Sequence, residues 1–177
     1  MSGSSLPLFI DAVAFAAHKH RTQKRKGAEA SPYINHPIAL AQVLACEAKV
    51  SDPQALIAAI LHDTLEDTET TFEELRDRFG LETAAIVAEV TDDKSLSRER
   101  RKELQVEHAP HLSAPAKLVK LADKICNLRD VVATPPEDWT LERRQQYFDW
   151  AKRVIDGLRG VHPQLEALFD AAYAARP

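Results

Sequence analysis

An imidazole and three carboxylates fall within six positions in the run His62-Asp63-Thr64-Leu65-Glu66-Asp67-Thr68. Directly before it stands the apolar stretch from Ala55 to Leu61. On a helix, Glu66 lies one turn beyond His62, and Asp67 one turn beyond Asp63. One helix end is therefore expected to carry two ranks of polar groups facing roughly the same way. Polar groups gathered beside a buried face are costly without compensation. A divalent cation would compensate them, and that points to metal-dependent hydrolysis.

His36, His62, Asp63 and Asp123 are the candidate ligands. Two imidazoles and two carboxylates, with no thiolate, suit Mn²⁺, Fe²⁺ or Mg²⁺ better than Zn²⁺. Taken singly, each signal has a bland reading. A histidine before proline is usually a loop residue. The stripe Lys120, Asp123, Asn127 and Asp130, at helical spacing, would usually be a solvated face, and an adjacent His-Asp pair is common. Their joint occurrence, with Glu66 and Asp67 one turn past the pair, favours the metal.

These groups need a scaffold, and the chain reads as helix after helix. Apolar residues recur at helical spacing over about residues 6–20. A basic, helix-ending segment follows, from Arg21 to Gly27. Pro32 and Pro37 bracket a loop, and Pro37 suits the first turn of a helix running to about Lys49. Asp52-Pro53 opens the helix that ends in the His62 motif. Further helices are expected over about residues 72–79, 81–90, 97–107, 113–132, 138–158 and 163–174. No segment alternates with period two. The expected fold is all-α, an irregular bundle of eight or nine helices in a single domain spanning residues 1–177.

Composition narrows the function. With 177 residues, 45% hydrophobic and 28% charged, the chain reads as an ordinary soluble domain. A net charge of -4 argues against nucleic-acid or anionic-membrane binding as its main business. The cysteines, Cys46 and Cys126, lack CxxC spacing and are expected to be two buried thiols in a reducing compartment. The N-terminus has no signal-peptide pattern and no stretch approaches membrane-span length, so the cytoplasm is expected.

The order His, His-Asp, Asp is that of the HD-domain metal phosphohydrolases. Longer strings are more specific. Pro32-Tyr33-Ile34-Asn35-His36-Pro37, Leu61-His62-Asp63-Thr64-Leu65-Glu66-Asp67-Thr68, Glu89-Val90-Thr91-Asp92-Asp93-Lys94 and the run Lys120 to Asp130 resemble the hydrolase domain of the RelA/SpoT family. The similarity is greatest to the stand-alone small alarmone hydrolases. It runs over about residues 8–160, so no synthetase or regulatory domain is expected, and the metal and Glu-Asp positions are all kept.

The resemblance implies a Mn²⁺-dependent hydrolase of guanosine tetra- and pentaphosphate. It would release the 3′-pyrophosphate to give GDP or GTP. The metal would polarise a phosphoryl oxygen and lower the pKa of water. Glu66 would orient and deprotonate the attacking water, with Asp67 helping to hold it or to shuttle its proton. Arg25 and Lys26 match nucleotide-contacting positions, where a guanidinium can stack on guanine and an ammonium can meet phosphate. Asn127 is expected to hydrogen-bond the nucleoside, and Tyr147 to lie near the base and ribose. Tyr147 also fits a core stripe with Trp150, Ala151, Val154 and Leu158. Lys94 and Arg98, one turn apart if helix continues there, would neutralise the pyrophosphate. His18, His20, His108, His111 and His162 have no supporting cluster and read as structural or surface residues. The runner-up is NADPH 2′-phosphatase activity on the same scaffold, followed by a deoxynucleoside-monophosphate phosphatase. A nonenzymatic alarmone-binding protein is disfavoured because no ligand or Glu-Asp position is lost.

Overall fold

A computed structural model describes residues 5–25 and 30–177. Among them are nine helices of eight residues or more and one single helical turn. The helices are α1 (Ser5–Lys19), α2 (Asn35–Gln42), α3 (Pro53–Leu61), the single turn α4 (Thr64–Asp67), α5 (Phe72–Phe79) and α6 (Leu81–Val90). They continue as α7 (Arg98–His108), α8 (Ala114–Ala133), α9 (Leu141–Asp156) and α10 (Pro163–Ala174). No strand occurs among the described residues, only an isolated bridge between Lys24 and Pro32. The all-α expectation holds, as does its helix number. No described helix is long and apolar enough to cross a membrane.

α3 is the hub. Every residue from Ala55 to Leu61 is buried. A helix apolar on all sides belongs in the middle of a bundle, and α3 packs against α1, α2, α6 and α8. Its start is specified locally, because the Asp52 side chain accepts from the Gln54 and Ala55 amides and Pro53 opens the first turn. Thr71, Ser97, Ser113 and Thr140 cap α5, α7, α8 and α9 in the same way. Gly80, at φ 91, lets α6 start directly after α5.

Three local expectations are corrected. The His62 motif is not one continuous helix. α3 stops at Leu61, Asp63 takes φ −98 and ψ 0, and helix resumes only for Thr64–Asp67. Side chains take the carbonyls that would extend α3: Thr64 Oγ1 donates to Leu61 O at 2.7 Å, and His62 Nδ1 lies 2.9 Å from Ala59 O. The helix expected to run to Lys49 begins at Asn35 and changes after Gln42 into a wider π turn, Val43–Glu47. In that turn Val43 and Leu44 are buried while Cys46 is exposed. So only Cys126 is the buried thiol, pushed up to about 12 chiefly by burial.

Candidate active site

α2, α3 and α8 pack against one another and each delivers one ligand-capable side chain. His36 comes from the first turn of α2, His62 from just past α3, and Asp123 from the middle of α8. One donor atom from each lies within 4.8 Å of the others. His36 Nε2 is 3.3 Å from Asp123 Oδ1, and the two imidazole centroids are 5.3 Å apart. Asp63 is not one of these three mutually close donors. It enters the same cavity, of about 190 Å³, with Oδ2 2.9 Å from His62 Nε2, and it accepts the Tyr33 hydroxyl.

The imidazoles fit a cation. His62 Nδ1 is engaged by the Ala59 carbonyl, so the proton belongs there and Nε2 presents its lone pair. Nε2 is buried and has no aligned hydrogen bond. Without an ion, and despite burial, the neighbouring carboxylates push His62 toward its protonated form, a charge that a bound cation would replace. Burial opposes charge on all four groups, yet His62 and His36 hold Asp63 well below the usual carboxylate range. Lys124 and His36 do the same for Asp123. Burial lowers His36 despite Asp123, whereas Asp63 and Asp123 overcome burial and raise His62. Two ionised carboxylates beside two imidazoles are a donor set for a divalent cation.

Glu66 and Asp67 reach the same cavity from α4. Glu66 Oε2 accepts the Asp92 amide at 3.0 Å, and Oε1 is 3.7 Å from an Arg101 nitrogen. Burial raises the Glu66 carboxyl above its ordinary value, against the Asp92 amide, and Asp92, Asp63 and Asp67 add to the rise. Asp67 pairs with Lys94, and its backbone carbonyl accepts Gln23 Nε2 at 2.6 Å.

A cleft of about 400 Å³ adjoins the cavity, and Arg25, Tyr33, Asp67 and Asn127 line both. Arg25 donates to Asn127 Oδ1 at 3.0 Å and to Asp130 Oδ2 at 2.6 Å, with its guanidinium carbon 5.8 Å from the Tyr33 ring centroid. Asn127 Nδ2 in turn donates to Asp123 Oδ1 at 2.6 Å. Tyr147 opens onto the cleft between Trp139 and Trp150, with ring centroids 5.2 and 5.3 Å away. Burial pushes its hydroxyl up to about 12.

Lys94 and Arg98 do not share a helical turn. The Ser97 side chain accepts the Arg100 amide and starts α7 at Arg98, which leaves Lys94 on the preceding loop. Lys94 meets Asp67, while Arg98 borders the cleft. Lys26 lies outside the described residues. His20, expected to be structural or on the surface, is buried against Tyr33 with centroids 4.8 Å apart.

Sequence reasoning gave no role to Tyr33, Lys120, Lys124, Asp92, Arg101 or Gln105, all of them at or beside the cavity. Lys124 Nζ lies 3.0 Å from Asp123 Oδ2 and 4.5 Å from the Trp150 ring centroid. Gln105 donates to Asp92 Oδ2 at 2.6 Å. Tyr33, Asp92, Lys120 and Lys124 stand inside the motif strings, so their position was a signal. Arg101 and Gln105, one turn apart on a charged helix, gave none.

The model of the HD domain matches residues 12–149. The chain belongs to the HD-domain family. It is 51% identical to the guanosine-3′,5′-bis(diphosphate) 3′-pyrophosphohydrolase MESH1 of Danio rerio, over 99% of this chain and 98% of that protein. Identity to MESH1 of Homo sapiens is 53%, over 93% and 92%. The bifunctional (p)ppGpp synthase/hydrolase SpoT of Escherichia coli is 33% identical over 91% of this chain but only 24% of its own length. A solved metazoan SpoT orthologue, described as hydrolysing ppGpp and acting in starvation responses, superposes with a TM-score of 0.92 at 47% identity. That match covers 96% of this chain and 95% of the orthologue. The HD-domain and small-alarmone-hydrolase resemblance of the motif strings is thereby confirmed.

Proposed function

We propose that this HD-domain protein hydrolyses guanosine 3′,5′-bis(diphosphate) and its pentaphosphate counterpart to GDP or GTP and pyrophosphate. One observation carries the reading. The cluster His36, His62 and Asp123 adjoins a cleft lined by Arg25, Asn127 and Tyr147, so a nucleotide in the cleft presents its ribose phosphates to the cluster. Near-full-length similarity to the MESH1 proteins supports the same substrate.

His36, His62, Asp63 and Asp123 hold the divalent cation, and their nitrogen and oxygen donors suit Mn²⁺. When bound, the cation supplies Lewis-acid polarisation of a phosphoryl oxygen and acidifies water. The remaining work falls to side chains. Glu66, fixed through one oxygen by the Asp92 amide, takes the proton of the attacking water. Asp67 steadies that water. The water oxygen bonds to the phosphorus attached to the ribose 3′-oxygen, the bond from phosphorus to that oxygen breaks, the 3′-oxygen takes up the proton that Glu66 removed from the water, and the two phosphates leave together as pyrophosphate. Arg25, Asn127 and Tyr147 hold the nucleoside in register, and Arg98 in the cleft and Lys94 beside Asp67 offset the departing charge. Two unpaired cysteines, Cys46 and Cys126, accord with a reducing cytoplasm.

The experiment is product chromatography on purified, Mn²⁺-loaded protein given ppGpp or NADPH, without added pyrophosphatase. GDP with pyrophosphate is expected. Orthophosphate as first product, or NADPH dephosphorylation without ppGpp cleavage, overturns the proposal in favour of a 2′-phosphatase.

A further inference from the structure

Two buried lysines stand one turn apart on α8, and their surroundings differ. Lys124 is ion-paired with Asp123. Lys120 is 7% exposed, and its Nζ donates to the Val90 carbonyl at the end of α6, at 3.0 Å. Among the described residues no carboxylate oxygen lies within 4.0 Å of it. An ammonium has three donors, and Val90 accounts for one. Lys120 lines the cavity that also holds Glu66 and Asp123.

A buried ammonium without an ion-pair partner is costly, and burial and Lys124 push this one below the ordinary lysine value, so an arriving anion is what would favour its charge. A hydrophobic side chain of similar length would fill the space at less expense. Tying α6 to α8 through one carbonyl does not require a charge. A cation in the wall of a cavity that receives phosphates does have a use. Charge in phosphoryl transfer spreads over the equatorial oxygens, and a fixed donor in a water-poor site stabilises it without reorganising.

We infer that Lys120 is a substrate-binding residue whose ammonium takes a non-bridging oxygen of the phosphoryl group under attack. The inference rests on the phosphohydrolase reading above. Lys124 has a different task, holding Asp123 ionised and in place.

The test uses Mn²⁺-loaded wild type, Lys120→Met and Lys120→Gln. The methionine removes charge and donors alike. The glutamine keeps an N–H able to reach toward Val90 but not the charge. Three quantities are read: ppGpp turnover, calorimetric affinity for inorganic pyrophosphate, and melting temperature with bound metal. Both variants are expected to lose about 10²-fold in kcat and about tenfold in pyrophosphate affinity, with metal content kept and melting at or above wild type. Turnover and pyrophosphate affinity within about threefold of wild type in either variant would overturn the assignment. So would losses that accompany lost metal or lowered melting in both, which make Lys120 structural. Failure of the wild type to cleave ppGpp refutes the substrate instead, and the pyrophosphate affinities then still decide Lys120.

Discussion

The Asp92 amide donates to Glu66 Oε2 across 3.0 Å, so the carboxylate that shares a cavity with His36, His62 and Asp123 is held by a residue 26 positions further along the chain. Asp92 is itself held, because Gln105 donates to its Oδ2. One Glu66 oxygen is thereby fixed, and the other, 3.7 Å from an Arg101 nitrogen, is the one left to take a proton. Glu66→Gln preserves the acceptor for Asp92 but cannot take that proton. Its turnover of ppGpp is expected to fall by about 10²–10⁴-fold, with nucleotide affinity and metal content kept. Steady-state kinetics beside calorimetric titration with the nucleotide checks this, and near-wild-type turnover removes Glu66 from the mechanism.

The same carboxylate has a stability signature in the metal-free protein. Burial raises its folded-state pKa above the ordinary 4.5. A raised carboxyl contributes stability below its unfolded value, and that contribution is lost as pH rises through the folded value. At neutral pH the ionised group is therefore a burden on the fold, and glutamine removes it. Metal-free Glu66→Gln should melt above wild type at pH 7, with the gap closing as pH falls toward 4.5. Thermal scans across that range measure it. A gap that instead widens on acidification contradicts the assigned direction.

These relationships show where sequence reading succeeded and where it stopped. Caps such as Asp52 and Ser113 and the apolar run into Leu61 are local signals, and the helices they mark lie close to where they were expected. The cluster His36, His62 and Asp123 joins three helices distant in the chain, and it became legible through motif strings rather than periodicity. The break at His62 was hidden because it depends on side chains competing for backbone carbonyls, Thr64 for Leu61 and His62 for Ala59. Arg101 was hidden because a charged helix normally faces water, and only packing brings this residue to Glu66.

Tyr33 gives a second-layer test. Its hydroxyl donates to Asp63, and its ring packs beside His20. Groups that orient a ligand commonly change metal affinity by about 10–100-fold when removed. Tyr33→Phe should weaken Mn²⁺ binding on that scale and restore turnover at higher metal concentration. Asp123→Ala, which removes a donor, should not be rescued. Metal titration followed by activity at saturating Mn²⁺ separates the two. Equal metal affinity in Tyr33→Phe and wild type would show that the hydroxyl does not orient Asp63.

Arg25 tests the division between nucleotide and metal. Its guanidinium reaches Asn127 Oδ1 and Asp130 Oδ2 on α8 while bordering both the cavity of His36, His62 and Asp123 and the cleft. Asn127 in turn donates to Asp123, so Arg25 is two hydrogen bonds removed from a proposed ligand. If its task is to hold the nucleotide, Arg25→Ala should raise KM for ppGpp by about tenfold or more, the scale of one lost charge-assisted contact. The metal should stay. Arg25→Lys should rescue little, because an ammonium lacks the planar fork that spans two acceptors and stacks on a base. Measuring kcat and KM beside metal content in both variants decides the matter. Loss of Mn²⁺ in Arg25→Ala would mean that Arg25 acts through Asn127 on Asp123, and its place would move from the substrate to the metal centre.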